Sequence, residues 1–245
     1  MISKQELKFV RSLSQKKFRD ENSMFIIEGE KMLIEAEKSG AAILKVYYRD
    51  QIGVDNMAKI SQLSSPPPLL AVVKMDDSFS EVPPNPEKLQ LAIDNIKDPG
   101  NLGTIIRIAD WFGIDDIYLS SESVEVYNPK CVQSTMGALF RVRVHYVNLS
   151  KLIENCFKSM PVYGTFLGSP SIYDLNLEPR GIIVMGSESD GISREVARFI
   201  EQKITIPPFP SDSQRSESLN VAVATAVVCS EFRRLSLFGA KPQTL

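Results

Sequence analysis

Over the first forty positions apolar residues recur at three- and four-residue intervals: Leu7, Val10 and Leu13, then Met32, Leu33 and Ala36. That spacing predicts helices on either side of a short apolar run. The run itself, Met24-Phe25-Ile26-Ile27-Glu28-Gly29, and residues 43–48 read as strands. The tract Ser64-Ser65-Pro66-Pro67-Pro68 interrupts the pattern, and residues 69–73 resume it as a strand. From 76 to 87 periodicity is lost and Pro83, Pro84 and Pro86 crowd together, as in a linker. The pattern therefore divides the chain into an N-terminal unit, 1–75, a linker, 76–87, and a C-terminal unit, 88–245.

Beyond the linker, strand and helix alternate. Residues 89–93, 117–119, 142–147, 162–166, 181–185 and 204–206 read as strands. Helices are predicted over 102–112, from Asn128-Pro129, over 149–157, over 193–201 with Ser193 as cap, and over 219–237. In the first of these, Leu102, Ile105, Ile106, Ala109 and Phe112 share one face. The expected fold is α/β, a parallel sheet covered on both faces, with a smaller α/β unit ahead of it.

The chain has 245 residues, 43% hydrophobic and 24% charged, which excludes a disordered or collagen-like protein. Cys131, Cys156 and Cys229 are odd in number and far apart, so no disulfide framework is expected. With no CxxC and a single histidine, His145, neither a zinc site nor a histidine-based triad is expected, and His145 reads as structural. No secretory leader is visible, and the longest apolar stretch, 221–229, is too short to span a bilayer. A reducing, cytoplasmic setting is expected. Net charge is −2. Residues 1–20 carry Lys4, Lys8, Arg11, Lys16, Lys17 and Arg19 against Glu6 and Asp20, a balance of +4 that leaves −6 for the rest. A basic arm on an acidic body suits a polyanionic partner, or is a solvated helix face.

Parallel sheets bind ligands beyond the carboxyl ends of their strands. Three segments at such positions carry unusual residues. Asp94-Asn95-Ile96-Lys97-Asp98-Pro99-Gly100-Asn101-Leu102-Gly103 leads into the helix that bears Arg107. Gly100 and Gly103 would allow tight turns, Asn101 would cap the helix or face a ligand, and Arg107 would be a surface charge or a phosphate fork. Gly186-Ser187-Glu188-Ser189-Asp190-Gly191 is unsuited to an anion; Glu188 would meet a cation, hydroxyl or amine, or face the next helix N-terminus. In Ser218-Leu219-Asn220, Ser218 and Asn220 would cap the last helix or line a site, and Ala222, Ala224, Thr225 and Ala226 would permit close packing.

In order and spacing, these three segments resemble the motifs of the SpoU (TrmH) family of RNA ribose 2′-O-methyltransferases, in the SPOUT superfamily. Phe18-Arg19 and Phe25-Ile26-Ile27-Glu28-Gly29-Glu30 resemble that family's N-terminal RNA-binding module. The resemblance implies a deep C-terminal trefoil knot, against the usual rule on threaded connections. It implies S-adenosylmethionine as cofactor, held at Thr165, Gly186, Ile206 and Leu219, and a homodimer. It implies catalytic roles for Arg107, Asn101, Glu188, Ser218 and Asn220, with no metal. The implied reaction is methylation of a ribose 2′-hydroxyl in structured RNA, ribosomal before transfer RNA; a catalytically inactive RNA-binding protein is the other reading. A Rossmann dinucleotide enzyme would need GxGxxG, which is absent. The sequence departs from the family pattern in a long, glycine-free 207–217 segment and in Ser189-Asp190.

Overall fold

The computed structural model describes residues 2–76, 82–210 and 218–238. The N-terminal module comprises α1 (Lys4–Ser12), α2 (Lys16–Asn22), β1 (Met24–Glu28), α3 (Glu30–Ser39), β2 (Ile43–Tyr48), α4 (Arg49–Ile52), α5 (Val54–Ile60) and β3 (Leu69–Lys74). Its sheet has the order β1-β3-β2 and is antiparallel throughout. Alternation along β1 sends Ile26 to a core with Val10, Leu13, Met57 and Ile60, and Phe25 and Ile27 to one with Met32, Leu33 and Ala36. The second core also contains Val132, from the other half of the chain.

The C-terminal half comprises β4 (Leu89–Ile93), α6 (Pro99–Trp111), β5 (Asp116–Ser120), α7 (Pro129–Thr135), β6 (Arg143–Val147), α8 (Leu149–Cys156), β7 (Val162–Thr165), β8 (Gly181–Met185), α9 (Arg194–Ala197), β9 (Gln202–Ile204) and α10 (Val221–Phe238). Six parallel strands run in the order β6-β5-β4-β8-β7-β9. β4, β5 and β8 are buried at every residue, which explains their almost unbroken apolar runs. One face packs on α6 and α10 through Leu91, Ile93, Ile117, Leu119 and Ile183; the other packs on α8 and α9 through Ala92, Tyr118, Ile182 and Val184. At the β6 edge, Asp116 accepts from Arg143 Nε at 2.7 Å and lies 2.9 Å from His145 Nε2, whose ring stacks on Tyr118. Burial raises the Asp116 pKa, but these hydrogen bonds outweigh it and hold the carboxyl well below its usual range. His145 is thus structural, as read.

Several boundaries differ from expectation. α6 begins at Pro99, not 102, because Asp98 caps it. α9 ends at Ala197, well short of 201, and Ser193 makes no side-chain cap. β9 spans Gln202–Ile204 rather than 204–206, and α10 starts at Val221 rather than 219. α4 and α5 fall where no element was expected. The basic arm also needs revision. Arg19 is 2% exposed: its Nε donates to Glu125 Oε1 at 3.0 Å and its Nη1 to the carbonyls of Leu13 and Ser14 at 2.9 and 2.8 Å. It clamps the module to the C-terminal half instead of meeting a polyanion. Lys16 and Lys17 pair with Asp20 and Glu21, so Lys4, Lys8 and Arg11 remain without ion pairs among the described residues, at helical spacing on α1. A second clamp joins α3 to α6: Arg141 holds Asp110 at 2.9 and 2.8 Å and also donates to Glu35.

Candidate functional site

In the parallel sheet, the strands following β4 (β5, then β6) extend to one side, whereas β8 pairs on β4's other side. The crevice above the carboxyl ends of β4 and β8 is therefore the switch point at which such sheets bind ligands. Asp94 follows β4, and Gly186 follows β8.

Asp98 Oδ1 accepts the backbone N–H of Asn101 at 2.8 Å, and Lys130 Nζ donates to Oδ2 at 2.8 Å. These bonds, Lys130's first, lower the Asp98 pKa. Because Asp98 caps α6, the Asn101 side chain is released from capping. Its Nδ2 donates to Glu188 Oε1, and its Oδ1 accepts from Asn220 Nδ2 at 3.1 Å. Asn220 serves both purposes considered for it: its Oδ1 also accepts from Ala222 and Val223 N–H at 3.0 and 3.3 Å, capping α10. Asn101, Glu188 and Asn220, from three distant segments, thus form one hydrogen-bonded chain.

Glu188 lies at the tip of a tight hairpin closed by reciprocal backbone bonds between Ser187 and Gly191, both 3.1 Å. It is not a helix N-terminal anion, since α9 starts six residues later. Position 186 has no room for a side chain: a Cβ there would lie 2.1 Å from Gly191 C. Gly103 also differs from its expected role. It is inside α6, not in a turn, and a Cβ would lie 2.5 Å from the Cys131 carbonyl oxygen and 2.6 Å from Ser134 Cβ. It permits α6 to rest directly on α7. Gly100 likewise belongs to the first turn of α6.

Arg107 does not join the Asn101 chain. Six residues further along α6, it stands roughly 9 Å along the axis and about 120° around from Asn101. It is exposed and has no hydrogen bond or ion pair among the described residues. Ser218 and Leu219 are exposed just ahead of α10, and Leu219 is 51% accessible. Thr165 closes β7, its Oγ1 3.4 Å from the Val184 carbonyl, and Ile206, two residues beyond β9, is half-buried against the sheet core. Thr165, Gly186 and Ile206 therefore cluster over three neighbouring strands. Of the atypical 207–217 segment, 211–217 lie outside the described residues.

Asp94, at the head of the first motif, has a role that the sequence alone does not show. It is 4% exposed, and its Oδ2 accepts the Ser193 N–H at 2.8 Å. Neither Asp94 nor Glu188 has an ion-pair partner among the described residues, and the exposed one, Glu188, favours a cationic or hydroxyl-bearing ligand. A separate cavity of about 840 Å³ lies between the module and β6, against Lys74, Tyr127, Arg141 and Tyr146; it contains none of the predicted site residues. Among the described residues no group of three His, Cys, Asp or Glu could hold a metal ion. The three cysteines are buried free thiols, and burial pushes Cys229 up to about 12.

With this parallel sheet and its switch-point crevice, the chain belongs to the SpoU methylase family: the SpoU rRNA Methylase family model matches residues 88–230. Residues 4–72 match the MRM3-like substrate binding domain. The chain is 28% identical to the 23S rRNA (guanosine(2553)-2′-O)-methyltransferase RlmP of Bacillus subtilis, over 94% of this chain and 96% of that protein. A TrmH-family structure from Porphyromonas gingivalis superposes with a TM-score of 0.83 at 36% identity, covering 96% of this chain and 99% of that one. An AdoMet-bound rRNA methyltransferase from Sinorhizobium meliloti gives 0.82 at 28% identity, covering 96% and 97%.

Proposed function

We propose that this protein transfers a methyl group from S-adenosylmethionine to a ribose 2′-hydroxyl of ribosomal RNA. The observation that carries the proposal is the Asn101–Glu188–Asn220 chain at the β4–β8 switch point. The relative matched over nearly its whole length acts on 23S rRNA, so a transfer-RNA substrate is not favoured. The intact polar chain, and an Arg107 unpaired among the described residues, count against an inactive binding protein.

The residues present fit the cofactor. Glu188 offers a carboxylate without an ion-pair partner among the described residues, suited to a sulfonium or an amine, and Ile206 and Leu219 offer apolar surface. Thr165, Gly186, Ile206 and Leu219 are the proposed contacts. When bound, S-adenosylmethionine supplies an electrophilic methyl group. The protein's task is to present the 2′-oxygen in line and let its proton leave. Arginine resists deprotonation, so Arg107 acts by stabilising the developing alkoxide and anchoring an adjacent phosphate. Asn101, Glu188, Ser218 and Asn220 orient the target nucleotide.

The proposal includes the division at 1–75, 76–87 and 88–245, supported by two separate sheets and two family matches. It includes the C-terminal trefoil knot, supported by β8 lying between β4 and β7 and by α10 returning to α6. It includes a homodimer, supported by apolar Trp111 (84% exposed), Val223 and Leu237 on α6 and α10; a light-scattering mass near 27.3 kDa would overturn it. Buried free thiols support a reducing, cytoplasmic location, checked by cell fractionation.

Incubation with radiolabelled S-adenosylmethionine and total RNA from a strain lacking the gene tests the reaction. Label at a single alkali-resistant linkage in ribosomal RNA is expected; label in transfer RNA, or none despite cofactor binding, would overturn it. Arg107→Ala is expected to slow transfer by about 10²–10³-fold while leaving RNA affinity within a few-fold.

A further inference from the structure

Asp94 is one of the few carboxylates buried in the C-terminal half, and its bond crosses ninety-nine residues. Its own N–H donates to Met185 O at 2.9 Å, which extends the β4–β8 ladder by one residue, to the base of the Gly186 loop. Its Oδ2 receives the Ser193 N–H at 2.8 Å, two residues after the hairpin closes at Gly191. One leg of the hairpin is therefore continuous with β8, and the other is tied to β4 by this carboxylate. Ile192, between Gly191 and Ser193, is buried against the sheet's opposite face. At the tip, Glu188 meets Asn101 on α6, and the α6 cap, Asp98, lies only four residues beyond Asp94. Asp94 thus sits at the junction of the two elements whose spacing decides whether Glu188 and Asn101 meet. Burying a carboxylate that has no ion pair among the described residues is costly, and the Ser193 hydrogen bond is what offsets it.

We propose that Asp94 is a positioning residue for methyl transfer: through Ser193 it fixes the 186–191 hairpin so that Glu188 engages Asn101. This rests on the methyltransferase reading above. Asp94→Ala removes the acceptor, whereas Asp94→Asn keeps an oxygen for the Ser193 N–H. Three measurements on the full chain decide it: hydrogen exchange of the Ser193 and Gly191 amides, calorimetric affinity for S-adenosylmethionine, and single-turnover transfer to ribosomal RNA. Asp94→Ala should speed exchange at Ser193 and Gly191 selectively and slow single-turnover transfer by ~10²-fold, the scale of an ångström-sized misplacement. Asp94→Asn should restore most of both. In a Glu188→Gln background, Asp94→Ala should cost much less than in the wild type, because the two act in series. Fully multiplicative losses, or unchanged Ser193 protection in Asp94→Ala, would overturn the proposal. Failure of the wild type to methylate RNA would overturn the functional reading instead, while the exchange measurement would still test the anchor.

Discussion

Single residues here often do two jobs, and the division of labour is set by neighbours. Asn101 is free to build the site because Asp98, three residues earlier, takes the cap. Glu28 shows the opposite arrangement, a carboxyl kept for structure. It is buried at the end of β1, where it accepts from Ser61 Oγ and, at 2.9 Å, from the Gln62 N–H. Burial raises its pKa, and the two hydrogen bonds only partly offset this. A folded pKa above the unfolded value of about 4.3 means stability that is full below that pH and lost as pH rises through the folded pKa. Glu28→Gln, a mimic of the protonated form, is therefore expected to raise the melting temperature at pH 8. The gap from wild type should narrow as the pH approaches about 4.3. A gap independent of pH would show that Glu28 does not titrate with folding.

At the scale of elements, α6 is the organiser: it carries Asn101 and Arg107, packs on α10, and rests on α7 through Gly103. Gly103→Ala sets two effects against each other. Alanine favours helix over glycine by about 1 kcal/mol. Its Cβ, however, would meet the Cys131 backbone carbonyl and Ser134 Cβ, and a backbone oxygen in a packed helix cannot swing aside. Overpacking of this kind costs about 1–3 kcal/mol, so a net loss of up to about 2 kcal/mol in urea unfolding is expected, accompanied by slower transfer as Asn101 shifts. The sheet strands were legible because burial on both faces leaves unbroken apolar runs. The start of α6 was not, because Pro99 and Gly100 read as turn residues until Asp98 is seen to cap them. α4 and α5 went unread because Val54, Met57 and Ile60 follow Gly53 closely and span few turns. At the site, the resemblance names Asn101, Glu188 and Asn220, and the structure brings the three together. No sequence pattern could show that Asn101 bonds to both of the others while Arg107 stands apart. Nor did the sequence reveal that Arg19 is buried, since its partner Glu125 lies 106 residues away.

For the whole molecule, that last pair changes how the charge distribution reads. With Arg19 withdrawn and Lys16 and Lys17 paired, the cations of the 1–20 arm left to meet RNA on the proposed reading are Lys4, Lys8 and Arg11 of α1. Replacing all three with alanine should weaken RNA binding and flatten its dependence on log salt by about 2–3, since each phosphate contact contributes roughly 0.7–0.9 to the slope. An unchanged slope would move the RNA footprint elsewhere on the module. The Arg19–Glu125 and Arg141–Glu35 clamps carry one more consequence. They tie the half that matches a substrate-binding domain to the half that matches the methylase family, as the two jaws of a caliper are tied. On the proposed reading the enzyme would select its target by the distance between two points on a folded RNA, so lengthening the intervening stem by a base pair is expected to lower transfer where reversing a pair within that stem is not.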